Sequence, residues 1–185
     1  SWRAPVARNF GNSGQNTHAD RYILAEEYVQ VVKDLWDSWA DEAVVDDREN
    51  GKYARSELIR PINFNGEHYK VEGPLNLPRC PQGRPVLVQA GSSDAGRSFA
   101  AKHAEAVFTA HLDKEKAKRF YKDIKERASK FGRKRDQVLI LPGLSPVMAQ
   151  SEKKAKEILE DLNKQTDPEI GRRTLSGRFG GEDFS

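Results

Sequence analysis

The residues best suited to chemistry lie in two places. Ala90-Gly-Ser-Ser-Asp-Ala-Gly96 follows the apolar run Val86-Leu-Val-Gln-Ala90 and precedes a short helical pattern. Ser92, Ser93 and the first N–H groups of that helix therefore gather where a strand ends and a helix begins, with Gly91 permitting close backbone approach. Such a corner can hold a phosphate dianion. The second place is His18-Ala-Asp-Arg-Tyr22, whose i, i+4 spacing puts an imidazole and a phenol one above the other on one helix face. Both could point at one ligand.

Neither motif decides alone. Gly-Ser-Ser also makes an ordinary N-cap turn, and Tyr22 also suits a half-buried core position with His18 on the surface. The separation of Gly91 and Gly96 is not that of the Gly-x-Gly-x-x-Gly fingerprint, and no Gly-Lys-Ser/Thr marks a P-loop. A generic phosphate-ligand α/β module is one reading of these residues.

The elements that must position them are legible. From Thr17, which can cap, Ile23, Leu24, Tyr28, Val31, Val32, Leu35 and Trp36 recur at helical spacing, with Asp20 in the first turn. Residues 41–83 mix acids and bases among closely spaced prolines, and Asn65-Gly66 predicts a hairpin with a two-residue turn. This segment is expected to be an insertion. Beyond it the pattern predicts strand 86–90, helix 94–103, strand 106–110, helix 114–131 ended by Gly132, strand 138–141 running on toward 147, and helix 151–163. Apolar strands alternating with helices predict an α/β fold with a parallel sheet, in a single domain spanning 1–185. The tail from Thr166 is glycine-rich, and no element is assigned to it.

Composition bounds the rest. With 185 residues, 37% hydrophobic and 32% charged, the chain can bury one substantial core. No apolar run of about 18 residues occurs, and the first residues lack the layout of a secretory signal, so a cytoplasmic protein without membrane insertion is expected. The lone Cys80 fits a reducing compartment and offers no metal-ligand spacing. The net charge of +3 is spread over mixed runs such as Lys114-Glu-Lys-Ala-Lys-Arg119, so these read as solvated helix faces and no nucleic-acid partner is expected. His103 and His111 flank strand 106–110 without a carboxylate or thiol at metal spacing, and read as helix-end or surface residues. Trp36 and Trp39 read as packing residues. Ser145 has no nucleophile elbow around it.

Several ordered segments together carry a resemblance. Ala7-Arg-Asn-Phe-Gly11, Asp20-Arg-Tyr22, Ala25-Glu-Glu-Tyr-Val29, Leu35-Trp36, Gly66-Glu-His-Tyr69, Gly73-Pro-Leu-Asn76, Gln82 to Ser93, and Leu141-Pro-Gly-Leu-Ser-Pro146 resemble the nitrilotriacetate monooxygenase branch of the luciferase-like flavin monooxygenases. The resemblance runs through nearly the whole chain. It implies a TIM-type (β/α)8 barrel, reduced FMN delivered by a separate flavin reductase, and oxygenation of a small organic substrate with O2. By the same resemblance His18, Tyr22 and Ser93, with Ser92 and Gly91 beside them, would hold the flavin phosphate. Hydroxyls, a helix N-terminus and an imidazole are chemically suited to that charge.

The departures bear on activity. A full barrel takes about 250 residues, so this chain is expected to supply strands 4–7 of it, with the insertion at 41–83. Gly143 and Ser145 stand where some relatives of that branch carry an arginine and a histidine, and no catalytic residue is assigned. A partial barrel leaves open sheet edges and an apolar interior. Association with another copy, or an inactive and non-enzymatic fragment, is the corresponding expectation beside the enzyme.

Overall fold

The computed structural model describes residues 17–165 and 167–178. They fall into two compact units that divide after Gly143.

The first unit opens with helix α1, His18–Trp36. A capping box starts it: the Asp20 N–H donates to Thr17 Oγ1 at 3.2 Å and the Thr17 N–H to Asp20 Oδ2 at 3.1 Å, which satisfies donors the first turn leaves over. Two small antiparallel pairs follow, β1 (Val44–Asp47) with β2 (Lys52–Ala54) and β3 (Phe64–Asn65) with β4 (Lys70–Val71). This excursion is fastened to α1 and the residues just after it. Asp37 takes the guanidinium of Arg79 at 2.5 Å and that of Arg84, the Trp39 indole N–H donates to the Leu75 carbonyl at 2.7 Å, and the His68 N–H donates to Glu27 at 2.8 Å.

The hairpin at Asn65-Gly66 forms, but its turn is longer than the dipeptide suggests. Asn65 pairs with Lys70, so residues 66–69 make the turn, closed by the Gly66 N–H on the Tyr69 carbonyl at 2.9 Å. The positive φ that a two-residue type I′ turn needs falls instead on Asn63 at 46°. Contact with Glu27 of α1 selects this geometry over the local preference.

The strand-and-helix series then builds a three-stranded parallel sheet in the order β5 (Val88–Gln89), β6 (Ala106–Ala110), β7 (Leu139–Gly143). Between the strands run α2 (Asp94–His103) and α3 (Lys114–Lys130). The chain is thus α/β, as the pattern implies. Gly132, at φ 73°, lets α3 stop in a Schellman arrangement, its N–H on Ser129 O and that of Arg133 on Ala128 O, each at 3.0 Å.

One face of the sheet carries the core. Val107 and Ile140 point at Ala100, Ala101 and Ala104 of α2 and at Phe120, Ile124 and Ala128 of α3, with Val138 beside them. Three alanines let α2 sit close to the sheet. On the opposite face the register sets Val88, Ala106 and Leu139 in one row and Phe108 with Leu141 in the next. Val88, Phe108, Leu139 and Leu141 are exposed.

The second unit holds α4 (Glu152–Lys164), capped by Ser151, and α5 (Pro168–Arg178). The second helix lies in the glycine-rich tail, to which the sequence pattern assigns no element. Asp167 Oδ1 accepts from the Glu169 N–H at 2.8 Å and Pro168 stands at the first helical position, a start signal that the glycine content masked.

Candidate functional site

The two sequence motifs meet. Thr17 fixes where α1 begins, so His18 is its first residue and Tyr22 lies one turn further on. The His18 side chain lies outside the described part of the structure. Tyr22 crosses to the start of α2: a Cβ built on Gly91 would lie 3.0 Å from the phenol oxygen, and one on Gly96 would lie 2.6 Å from it. Those virtual atoms would also come within 3.0 and 3.1 Å of the opposite glycine's Cα. A side chain at either position would fill the space that the phenol occupies. The Tyr22 ring is braced edge-on by Phe99, with centroids 5.7 Å apart.

Ser93 is the N-cap of α2. Its hydroxyl oxygen accepts from the Gly96 N–H at 3.1 Å, which leaves its proton to donate outward. The first-turn amides of Asp94 and Ala95 have no intrahelical acceptor. Ser92 is exposed just ahead of them. The Gly91 N–H donates to the Gln89 side-chain oxygen, so Gln89 must turn aside before that amide can serve a ligand.

Asp94 would repel an anion here, and two arginines offset it. Arg127 reaches its carboxylate at 2.5 Å and Arg97 at 3.5 Å. The Arg127 hydrogen bond holds the Asp94 carboxyl below its ordinary range. Arg127 also bonds Asp123 and Ser98, and Arg133 donates to the Ala101 and Ala104 carbonyls at 3.0 and 2.8 Å. Both ends of α2 are therefore held in place, with the positive end of its dipole directed at the corner.

A second cluster, whose function in holding the fold the sequence did not show, lies further along the seam between α1 and α2. His103, at the end of α2, is only 8% exposed. Its Nε2 is 2.7 Å from Glu26 Oε2 and its Nδ1 is 3.2 Å from Lys33 Nζ. Lys102 adds a bond of 2.6 Å to the same Glu26 oxygen. Burial pushes the His103 imidazole below its ordinary value, against the opposing effect of Glu26. The partners lie 77 and 70 residues away, beyond the reach of local spacing. His111 packs its ring on Phe120, with centroids 5.1 Å apart.

A concavity of about 760 Å³ lies elsewhere, between α3 and the turn before β7. Its Lys125 and Arg133 are taken up by backbone carbonyls, so it is less suited to a ligand than the glycine corner. Among the described residues no group of His, Cys, Asp or Glu is gathered as metal ligands, and no helix is long and apolar enough to cross a membrane.

The chain is similar to known proteins. The family model described as luciferase-like monooxygenase matches residues 1–181. Nitrilotriacetate monooxygenase component A of Aminobacter aminovorans is 47% identical over 94% of this chain and 38% of its own. N-acetyl-S-(2-succino)cysteine monooxygenase of Bacillus subtilis is 42% identical over 97% of this chain and 41% of its own. The crystal structure of a long-chain alkane monooxygenase superposes with a TM-score of 0.84 at 38% identity, covering 94% of this chain and 40% of that one. A riboflavin lyase solved with modified FMN superposes equally well, at 0.84 and 28% identity, over 92% of this chain and 38% of its own. The chain spans about two fifths of the length of these relatives. It belongs to the luciferase-like monooxygenase family.

Proposed function

We propose that this chain contributes the flavin-phosphate end of an FMN-dependent two-component monooxygenase. The supporting observation is the Tyr22 hydroxyl set against the Gly91–Gly96 cradle at the N-terminus of α2. Those residues fit a phosphomonoester: hydroxyls of Tyr22, Ser93 and Ser92, amides of the first turn of α2 and of Gly91, and His18 at the start of α1. Two relatives carry names of multi-part systems, nitrilotriacetate monooxygenase component A and one of the pristinamycin IIA synthase subunits, in keeping with a separate flavin reductase as partner.

In this reading bound reduced FMN supplies the electrons for O2 activation and oxygen insertion into a small organic substrate. The chain's own residues bind and orient. Tyr22 and Ser93 donate to the phosphate oxygens, the α2 dipole favours the charge, and Arg127 and Arg97 keep the Asp94 carboxylate from opposing it. The parallel sheet then supplies strands of a (β/α)8 barrel, its exposed face turned to the barrel interior, in a cytoplasmic protein.

Titration of the chain with FMN and reduced FMN, followed by flavin fluorescence or absorbance, tests the reading. Saturable binding that weakens about tenfold or more in Tyr22→Phe/Ser93→Ala is the expected result. The exposed face around Phe108 and Leu141 favours one rival, an inactive fragment. Absence of binding by either flavin at high micromolar concentration would establish that rival. Binding of another phosphate ligand with FMN unaffected would instead make the corner a generic phosphate module.

A further inference from the structure

The facing sides of α1 and α2 form a continuous seam that begins at the phosphate corner and ends at a buried histidine. Tyr22 and Glu26 are one turn apart on α1, as Phe99 and His103 are on α2. The Tyr22 ring meets Phe99, Phe99 packs on His103 with centroids 4.9 Å apart, and His103 is held on both ring nitrogens by Glu26 and Lys33 of α1. A neutral imidazole protonated on Nε2 satisfies both partners, donating to the carboxylate and accepting from the ammonium.

We infer that His103 is a positioning residue for the flavin phosphate: its neutral form locks α1 to α2 and so holds the Tyr22 hydroxyl against Gly91 and Gly96, coupling ligand affinity to pH. The inference rests on the FMN reading above. Protonation converts Nδ1 from acceptor to donor while it faces the Lys33 ammonium, so that bond is lost. Three cationic groups, His103, Lys33 and Lys102, then surround the single Glu26 carboxylate. Arg84, Glu105 and Arg133 act on Lys33 from further out. On the α3 side of α2, Asp123 and Arg127 are engaged with Asp94, Arg97 and Ser98 at the other end of the helix. Of the two His103 bonds only that to Glu26 remains favourable, beside the Lys102–Glu26 pair, while the Lys33 contact turns repulsive, and the seam loosens one turn from Tyr22. Only the fraction of molecules with a closed seam binds well, so apparent affinity falls with that fraction.

The test is the FMN dissociation constant of the full 185-residue chain between about pH 5 and pH 8, for wild type, His103→Gln, His103→Leu and Tyr22→Phe. Glutamine can donate to Glu26 and accept from Lys33 but does not titrate; leucine can do neither. Near pH 8, His103→Gln is expected within about twofold of wild type and His103→Leu about tenfold weaker. On acidification wild type should lose about fivefold more affinity than His103→Gln, a comparison that cancels titration of the FMN phosphate itself. Parallel pH profiles for wild type and His103→Gln, with Tyr22→Phe still weakened, would overturn this inference and leave the FMN reading intact. No binding by wild type at any pH would remove both. If His103→Leu does not fold, as judged by circular dichroism, the pH comparison of wild type with His103→Gln decides.

Discussion

The Tyr22 hydroxyl occupies the space that a side chain on Gly96 would need, since a Cβ there would lie 2.6 Å from the phenol oxygen. Two motifs more than sixty residues apart in sequence are thereby combined at one corner. The glycine matters for the room it leaves, because Gly96 sits inside a helix where alanine would otherwise be preferred.

Gly96→Ala therefore reverses the usual helix preference. Propensity alone would stabilise by up to about 1 kcal/mol, whereas the collision with Tyr22 and with Gly91 Cα costs about 1–3 kcal/mol. Urea denaturation should show net loss of stability. Adding Tyr22→Phe should recover part of it, because the offending oxygen is gone, and a strictly additive double variant would contradict the arrangement.

Thr17→Ala removes the hydroxyl that accepts from the Asp20 N–H in the capping box at the start of α1, and leaves the backbone bond from residue 17 to the Asp20 carboxylate. The expected loss is about 1 kcal/mol. Thr17→Ser should keep most of the stability, since its hydroxyl can make the same bond to the Asp20 N–H. Equal losses in the two variants would show that the cap contributes nothing.

Acid should weaken the fold in two windows. Burial holds the His103 imidazole below its ordinary value, so the unfolded chain binds more protons there and stability falls as pH drops below about 6.5. The Arg84 hydrogen bond, joined by Arg79, holds Asp37 below its ordinary value, and that contribution is lost below about pH 4. Unfolding free energies measured against pH should show the upper step in wild type and lack it in His103→Gln. Asp37→Asn should flatten the lower one.

The exposed sheet face predicts dye binding. Phe108 and Leu141 are direct register partners and each is 48% exposed. Replacing them as Phe108→Lys/Leu141→Glu places opposite charges across the strands. Fluorescence of an apolar dye such as anilinonaphthalene sulfonate should drop, while stability changes by less than about 0.5 kcal/mol. Unchanged dye binding would mean that this face is covered in solution.

The parts legible in the sequence are those governed by local signals. Thr17 and Ser93 cap the helices that follow them, Gly132 ends α3, and the apolar run 106–110 forms β6 with the bounds its composition implies. Local signals failed where tertiary contacts or competing cues decided. Glu27 reshapes the turn after Asn65, the Asp167-Pro168 start of α5 was obscured by glycines, and His103, a helix-end residue as read, is buried there by partners on another helix, which local spacing could not show. The Tyr22 corner was half legible: each motif could be read, but their juxtaposition needed the fold.

Protein-observed NMR with FMN locates the ligand on the chain, because backbone amide shifts report where the phosphate sits. The largest shifts are expected on Gly91 to Gly96 and on the α1 turn around Tyr22, and Tyr22→Phe should diminish them. Shifts concentrated instead on the concavity between α3 and β7, around Lys122 and Arg135, with the glycine corner silent, would contradict that placement of the phosphate.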